Sequence, residues 1–317
     1  VNEEPGQRVL AAVEKTNFRP NAVAKSLKLG HSNTICLMVP AIENLMIPLI
    51  VRGVEDTARK SGFSVVLCNT DEDEAIEMAH IEMMKTRQTD GFIICSAYGS
   101  EKGIHDLHNQ GFPLVMVNRF QPEDVGKIET ISVDNYHAGY DATRYLIRTG
   151  HKRIAFVGGE DGVDITLERL AAYRQALAVL GLPEDEELVA LSDYYAPDGF
   201  AAANRLLSRG TDFTAILAMN DNVAVGVYRA LADAGLEIPR DVSVISCDQF
   251  FTAEYMVPRL SSVDQHNALF GQFVIKALLS AMEGGRENVL LRYDPELIIR
   301  ESCMPPAQKE NKENQTE

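Results

Sequence analysis

Short apolar runs alternate with longer segments of helical period from residue 34 onward, and this alternation constrains the fold more than any other feature. The runs span residues 34–40, 63–68, 90–95, 112–117 and 129–134, and then 153–158, 188–191, 213–218 and 242–247. Because each run is nearly all apolar, we expect strands that helices cover on both faces. The sequence therefore predicts an α/β protein with two doubly wound parallel-sheet subdomains, which suits a chain of 317 residues.

The remaining C-terminal sequence predicts one helix over 267–285 and two short strands over 288–293 and 296–302. These elements are too few for a third domain, so they are expected to complete the two sheets. We assign the chain as a first subdomain, a second subdomain and a disordered tail. The respective ranges are 34–134 with 266–285, 135–265 with 286–303, and 304–317, the last being polar and led by prolines.

Charge is spread unevenly along the chain. The formal net charge is −16, yet residues 1–31 carry five Lys/Arg against three Asp/Glu. An acidic body repels phosphate, so any contact with nucleic acid is expected to be confined to this beginning. The apolar runs fall short of the roughly 20 residues of a membrane helix, and no secretion signal opens the chain, so we predict a cytoplasmic protein without membrane contact.

Five cysteines are present, an odd number without CxxC spacing, and most lie in apolar runs. They are interpreted as reduced structural residues. The chain opens at Val1 within a helix-like phrase, and we expect a further segment upstream of it.

A short Lys-bearing segment, PNAVAKSLK, precedes the first apolar run. Asn21 can cap a helix in which Val23 and Leu27 share one face and Lys25 and Lys28 share the opposite one. A helix of two turns is unstable alone, so this one is expected to fold only against a partner. The alternative is an ordinary linker helix that lies on the domain.

Several strings along the chain together resemble the LacI/GalR family of bacterial transcription regulators. They span residues 1–35, 131–159, 168–177, 216–231, 238–250, 260–265 and 297–302. Their order and spacing cover nearly the whole chain. The resemblance implies two subdomains of the periplasmic-binding-protein-like type, preceded by a remnant of an all-α helix-turn-helix DNA-binding headpiece in 1–20 and by a hinge helix and linker in 21–33.

The resemblance assigns DNA contacts to the hinge helix, which begins at Asn21. Leu27 matches the leucine that pries apart a base step from the minor groove, and Ala24 is small enough to let the backbone enter the groove. Lys25 and Lys28 would meet phosphates. The first two headpiece helices are missing, so this chain is expected to have little sequence-specific affinity, whereas the intact gene product would bind a palindromic operator as a homodimer.

Polar residues at the carboxyl ends of the predicted strands are candidates for ligand contacts. They are Ser96, Tyr98, Asn118, Asn220, Asp221, Asp248 and Gln265. The family's ligand-binding positions match Asn118, Arg169, Asn220, Asp248 and Gln265. One cation, one carboxylate and several amides suit a polyol, whose hydroxyls donate and accept hydrogen bonds. The alternative for each residue is a cap or turn at a strand–helix junction.

Three departures from the family narrow the expected ligand. Met46 and Ile47 stand where the family often has stacking aromatic residues, and Asn118 replaces its usual aspartate. Val163 replaces an arginine of the purine-binding members, in the loop before Arg169. A monosaccharide, sugar acid or sugar phosphate is therefore expected, with no cofactor.

The resemblance implies that ligand binding changes the angle between the subdomains and hence the spacing of two hinge helices in a dimer. Segments 48–62 and 267–279 would supply much of the dimer contact, although packing on the sheet also needs their apolar stripes.

Two other classes of protein compete with the regulator. An enzyme is disfavoured because no GxSxG, GxGxxG or P-loop occurs, and because the pair His105 and His108 lacks a third metal ligand nearby. A periplasmic solute-binding protein would share the two-lobed architecture. The upstream coding sequence would separate it from the regulator, since one needs a signal peptide and the other a helix-turn-helix.

Overall fold

The computed structural model describes residues 30–95, 101–118, 127–285 and 290–306, together with Val13, Lys15, Thr16 and Lys28. At 267, 268 and 290–293 the description covers the backbone. Lys28 is exposed. The other predicted DNA contacts and two predicted ligand contacts lie outside the described residues, namely Asn21, Ala24, Lys25, Leu27, Ser96 and Tyr98.

Twelve strands and eight helices form within the described residues. The strands are β1 Thr34–Val39, β2 Ser64–Asn69, β3 Gly91–Ile94, β4 Leu114–Val117, β5 Glu129–Val133, β6 Ile154–Val157, β7 Val189–Ala190, β8 Ala215–Ala218, β9 Ser243–Asp248, β10 Ser261–Asp264, β11 Leu290–Tyr293 and β12 Glu296–Ile298. The helices are α1 Met46–Lys60, α2 Glu74–Thr86, α3 Glu101–Asn109, α4 Asn135–Arg148, α5 Asp164–Val179, α6 Ala196–Ser208, α7 Asp221–Asp233 and α8 Asn267–Met282.

The strands form two six-stranded sheets. The first has the order β11-β5-β4-β3-β1-β2, and all its pairs are parallel. The second has the order β12-β10-β9-β8-β6-β7, and its pairs are parallel except the edge pair of β12 with β10. This architecture confirms the predicted α/β fold with two doubly wound subdomains.

Strand β1 is apolar on both of its faces because helices pack against each of them. Ile35 and Leu37 belong to a cluster that α1 and α8 complete, whereas Cys36 and Met38 belong to another completed by α2 and α3. All four side chains are fully buried. Successive residues of a strand point to opposite faces, so helices on both sides of the sheet require this uninterrupted apolar run.

Helices α1 and α8 cross closely at two glycines. A Cβ on Gly53 would lie 2.9 Å from the Cα of Gly271, a separation that real Cβ atoms do not adopt. Phe270, Val274 and Leu278 of α8 are buried in the core of the first subdomain. The apolar stripe of α8 is therefore used in packing on its own sheet, the alternative left open by the sequence.

The assignment of 286–303 to the second subdomain is wrong, because the structure divides this segment. Strand β11 pairs with β5 in the first sheet, and β12 pairs with β10 in the second. The chain therefore crosses between the subdomains at Asp294 and Pro295. Partners so far apart in sequence decide which sheet an edge strand joins, and a local pattern of four or five residues does not carry that information.

The predicted tail begins too early. The carbonyl of Met304 accepts a hydrogen bond from His151 Nε2 and another from Ser243 Oγ, each over 3.0 Å. Residues 304–306 therefore belong to the second subdomain, and 307–317 lie outside the described residues.

Candidate ligand-binding cleft

The carboxyl ends of both sheets open into one cleft, which residues of the two subdomains line together. The first subdomain contributes Pro40, Asn44, Met46, Ile47, Glu72, Cys95 and Asn118. The second contributes Asn135, Val163, Ile165, Arg169, Tyr194, Tyr195, Met219, Asn220, Asp248 and Gln265. Most predicted ligand residues that the structure describes line this cleft, where parallel α/β sheets usually bind ligands; they are Met46, Ile47, Asn118, Arg169, Asn220, Asp248 and Gln265. Asp221 is the exception, since it is buried and does not line the cleft.

Arg169 of α5 is the centre of the polar network in the cleft. Its Nη2 donates to Asp248 Oδ1 over 2.7 Å and to Asn135 Oδ1 over 2.8 Å. Its Nε also donates to Asn135 Oδ1, and its Nη1 donates to the carbonyl of Met219 over 2.6 Å. Burial is the largest influence on the pKa of Arg169 and would lower it, but the charge and hydrogen bond of Asp248, together with Cys247 and Tyr194, outweigh burial and the pKa is raised. The guanidinium is therefore a fixed cation with an internal counter-charge.

The backbone at the mouth of the cleft adopts left-handed conformations. Asp248 has a φ of 106°, Gln249 one of 54° and Asn118 one of 53°. Such angles cost non-glycine residues about 1–3 kcal/mol each and concentrate at functional sites. They turn the chain sharply as β9 and β4 end, which aims the side chains of Asp248 and Asn118 into the cleft.

Gln265 follows β10 at a crossing between the subdomains and carries an unusual side chain. It is 2% exposed, and neither its Oε1 nor its Nε2 has a hydrogen-bond partner within the described structure. Leaving buried polar atoms unpaired costs about 1–3 kcal/mol per group. An amide kept in this state at a cleft wall is suited to a ligand that both donates and accepts hydrogen bonds.

Asn220 caps a helix and also lines the cleft. Its Oδ1 accepts from the backbone N–H of Val223 and caps α7, while its Nδ2 donates to the carbonyl of Tyr194. These are the contacts expected of a capping residue. One N–H and one lone pair of the amide stay available, so its ligand contact stays a prediction.

Asn118 uses its amide within the first subdomain. Its Oδ1 accepts from the N–H of Val133, and its Nδ2 lies 3.8 Å from the Met46 sulfur. Met46 thus lines the part of the cleft wall where the sequence analysis noted the lack of an aromatic residue.

Two tyrosines that sequence reasoning missed line the opposite wall. Tyr194 and Tyr195 follow β7, and the hydroxyl of Tyr194 lies 3.0 Å from Thr166 Oγ1. Burial raises the pKa of Tyr195, and so do the nearby carboxylates Glu43 and Glu72 of the first subdomain. Both tyrosines come shortly after the apolar run 188–191, with two residues between the run and Tyr194, so the strand-end rule extended by a few residues would have found them.

Asn135 was missed as well, although it belongs to a string that carries the family resemblance. Its oxygen accepts twice from Arg169 and fixes the rotation of the guanidinium. No pattern of one sequence shows that two residues 34 positions apart share a hydrogen bond.

Neither a metal site nor a membrane-spanning helix is found in the described part of the chain. It contains no group of three His, Cys, Asp or Glu side chains arranged around a metal ion. None of its helices combines the length and apolar character needed to span a bilayer.

A cleft between two doubly wound subdomains, with convergent amides and a buried ion pair, defines a two-lobed ligand-binding protein. A family model described as "Periplasmic binding proteins and sugar binding domain of LacI family" matches residues 32–291. The chain belongs to the LacI family of transcriptional regulators.

Named relatives and solved structures agree with this assignment. The HTH-type transcriptional regulator RegA of Clostridium saccharobutylicum is 30% identical, with 96% of this chain and 92% of RegA covered. The repressor PurR of Vibrio campbellii is 31% identical, with 95% and 90% covered. A LacI family regulator from Enterococcus faecium with bound ribose is 28% identical, with a TM-score of 0.79 and with 86% of this chain and 100% of that chain covered. A CelR–cellobiose complex is 27% identical, with a TM-score of 0.80 and coverage of 96% and 92%.

These relatives support the regulator over the periplasmic solute-binding protein. RegA is named as a transcriptional regulator, PurR as a transcriptional repressor and CelR as a transcriptional regulator. The chain is a ligand-responsive, DNA-binding transcriptional regulator, which confirms the main prediction.

Proposed function

We propose that this regulator is a repressor whose cleft binds a neutral sugar and whose affinity for operator DNA changes when the sugar binds. The bound ribose and cellobiose of the two structural relatives support a carbohydrate as the effector class. The observation that carries the proposal is the unpaired, buried amide of Gln265 at a cleft that both subdomains line.

The charge state of the cleft favours a neutral sugar over a sugar acid or sugar phosphate. Arg169 already donates four hydrogen bonds to protein oxygens and is paired with Asp248. Glu72 adds a carboxylate at the opposite wall. An anionic effector would have to compete for an occupied guanidinium, whereas sugar hydroxyls can use the amides of Gln265 and Asn118.

The ring faces of Tyr194 and Tyr195 can pack against a sugar ring. Met46 and Ile47 cannot make this contact, because neither has a flat aromatic ring. A sugar ring presents C–H groups on its faces, and tyrosine combines an apolar body with a polar end. The stacking wall would then lie in the second subdomain.

Control of DNA binding is assigned to the hinge segment, with Leu27 in the minor groove, Asn21 and Ala24 beside it, and Lys25 and Lys28 at phosphates. A ligand that touches both subdomains favours one angle between them, and it shifts the equilibrium only by its difference in affinity for the two states. We place this function in the cytoplasm, where operator DNA is, and assign the chain no catalytic role.

We propose a homodimer as the functional unit, since a palindromic operator requires two copies. An exposed apolar patch lies on the second subdomain after β9. Its members Phe251, Tyr255 and Val257 are 69%, 79% and 91% exposed. Apolar side chains this exposed and within seven residues of one another are typical of protein interfaces, so the patch is assigned to the dimer contact alongside the outer faces of α1 and α8.

A thermal-shift screen tests the effector class. The chain is heated with neutral sugars, with the corresponding sugar phosphates and with nucleobases, because a ligand at a hundred times its Kd adds about 2.7 kcal/mol of stability. We expect a neutral sugar to raise the Tm more than its phosphate does. Stabilisation by a sugar phosphate or a nucleobase alone would contradict the proposed class.

A further inference from the structure

Asp221, the first residue of α7, lies beneath the floor of the cleft and does not line it. It is fully buried, and its carboxyl group joins three elements of the second subdomain. Oδ1 lies 2.5 Å from Ser246 Oγ of β9 and 2.9 Å from Ser262 Oγ of β10. Oδ2 accepts from the backbone N–H of Phe250 over 2.6 Å. The sequence proposed Asp221 as a strand-end ligand contact, and the structure places it one layer deeper.

The three oxygens form a closed triangle, because Ser246 Oγ and Ser262 Oγ are themselves 3.0 Å apart. Each hydroxyl supplies one proton. With Asp221 ionised, two protons serve three short contacts, and one oxygen pair has no proton between it. With Asp221 protonated, the acid donates to Ser246, Ser246 to Ser262, and Ser262 back to Asp221, so each contact has its proton.

The triangle also holds the turn that carries Asp248. The N–H of Gln249 donates to Ser262 Oγ over 3.0 Å, and that of Phe250 donates to Asp221. These are the two amides that follow Asp248, where the backbone adopts the left-handed φ values of 106° and 54°. The cluster therefore secures a strained turn whose side chain projects into the cleft.

We propose that Asp221 is a positioning residue: a proton held among Asp221, Ser246 and Ser262 fixes the turn at Asp248, and loss of that proton loosens the turn. The consequence for effector affinity rests on the function proposed above. The proton-dependent fixing of the turn itself involves residues of the second subdomain alone and does not depend on that function.

The groups around Asp221 are consistent with a proton in this place. Burial raises the pKa of Asp221 to about 7; the hydrogen bond from Ser246 opposes the shift and the negative charge of Asp248 adds to it. Cys247 of β9 and Tyr228 of α7 also interact electrostatically with Asp221. Arg300 reaches the same turn by donating to Gln249 Oε1 over 2.8 Å.

Proton linkage gives the expected size of the effect. An opening of the turn that hydrates Asp221 restores an ordinary carboxyl pKa of about 3.9. The open population relative to the closed one then rises by up to about tenfold per pH unit from roughly pH 4 to 7 and levels off above. Asp221→Asn imitates the protonated acid, because its amide donates where the acid O–H would donate, and it removes this pH dependence.

Two measurements test the proposal without any effector. In ¹³C-labelled full chain, the Asp221 carboxyl signal should titrate near pH 7, well above the ordinary carboxyl value of about 3.9. Hydrogen exchange at Gln249 and Phe250 is then compared between wild type and Asp221→Asn at each pH, which cancels the intrinsic pH dependence of exchange. The ratio of wild-type to variant rates should rise towards pH 7 and then level.

A carboxyl midpoint below pH 5, or a rate ratio that does not change with pH, would overturn the proposal. If Asp221→Asn does not fold, the titration of the wild-type carboxyl group still decides the matter. Because no sugar is present, this device can fail while the cleft binds sugar, and it can hold while the effector class proves wrong.

Discussion

Arg169 and Asp248 form a buried ion pair across the floor of the cleft, with Nη2 and Oδ1 2.7 Å apart and only 4% and 9% of their side chains exposed. Removing one partner of such a pair leaves an uncompensated buried charge, which typically costs 3–5 kcal/mol. We therefore expect Asp248→Ala to lower the free energy of unfolding by about that amount. The double variant Arg169→Met/Asp248→Leu should recover most of it.

Urea denaturation of the three proteins checks this prediction. Asp233→Ala is the matched control, because Asp233 pairs with Arg229 on the surface of α7 at a similar distance of 2.9 Å. Exposed pairs contribute little, so the control should unfold near the wild-type midpoint. Equal destabilisation by the two single variants would show that the pair in the cleft is no more desolvated than a surface pair.

Gly226 lets helices α6 and α7 touch. A Cβ at this position would lie 2.0 Å from the Ala196 carbonyl oxygen, which is backbone and cannot rotate away. We expect Gly226→Ala to destabilise the second subdomain by about 1–3 kcal/mol through overpacking. Val225→Ala, one residue earlier on an exposed position, is the control and should be nearly neutral. Calorimetric melting of both variants would refute close helix contact if their Tm values matched.

His137 and Asp134 make a pH-dependent contact where the chain first crosses between subdomains. His137 Nδ1 lies 2.7 Å from Asp134 Oδ2, and this hydrogen bond is the main reason why the pKa of His137 is raised, with Asp141 and Asp294 adding to it. A raised histidine pKa stabilises the fold below the unfolded value of about 6.5, and the contribution is lost as the pH rises through the folded value.

Titration of the His137 ring signals by NMR checks the direction. We expect a midpoint above 6.5 in the wild type and a return towards 6.5 in Asp134→Asn, which retains the helix cap. Asp141→Asn should lower the midpoint less, because Asp141 acts by charge alone. A larger effect of Asp141→Asn than of Asp134→Asn would contradict the assigned cause.

The exposed patch after β9 predicts how the chain associates. Tyr255→Asp should weaken dimerisation at least tenfold, since it places a charge in an apolar contact, an effect of about 1.4 kcal/mol or more. Val179→Asp, an exposed apolar residue at the end of α5 and away from the patch, is the control. Analytical ultracentrifugation that found equal dissociation constants for both variants would exclude the patch from the interface.

Much of the fold could be predicted from the sequence because a strand buried on both faces contains an apolar run that is visible without knowledge of its neighbours. Residues 35–39 are apolar at five successive positions, and the structure places β1 there with helices on both faces. The strand-end rule then located Asn118 and Asp248, because parallel strands carry the residues that follow them to one edge of the sheet.

The features that the sequence did not predict depend on contacts between residues that are far apart in the chain. Strand β11 is four residues long and joins the first sheet only through its pairing with β5, so its short apolar pattern suited either sheet. Met304 is ordered through His151, more than 150 residues away. Asn135 and Asp221 have roles that exist only once three elements meet, and no periodicity within one segment reports such a meeting.

Gln265 offers the most direct test of ligand binding in the cleft. Its buried amide has no partner in the described structure, so Gln265→Leu should leave the Tm of the unliganded chain unchanged or raise it, because an unpaired polar group has been removed. The same substitution should abolish most of the Tm increase that a neutral sugar gives to the wild type, whereas the exposed control Gln110→Leu should retain it. A Gln265→Leu protein that melts well below the wild type, or that responds to the sugar as fully as Gln110→Leu, would contradict the account.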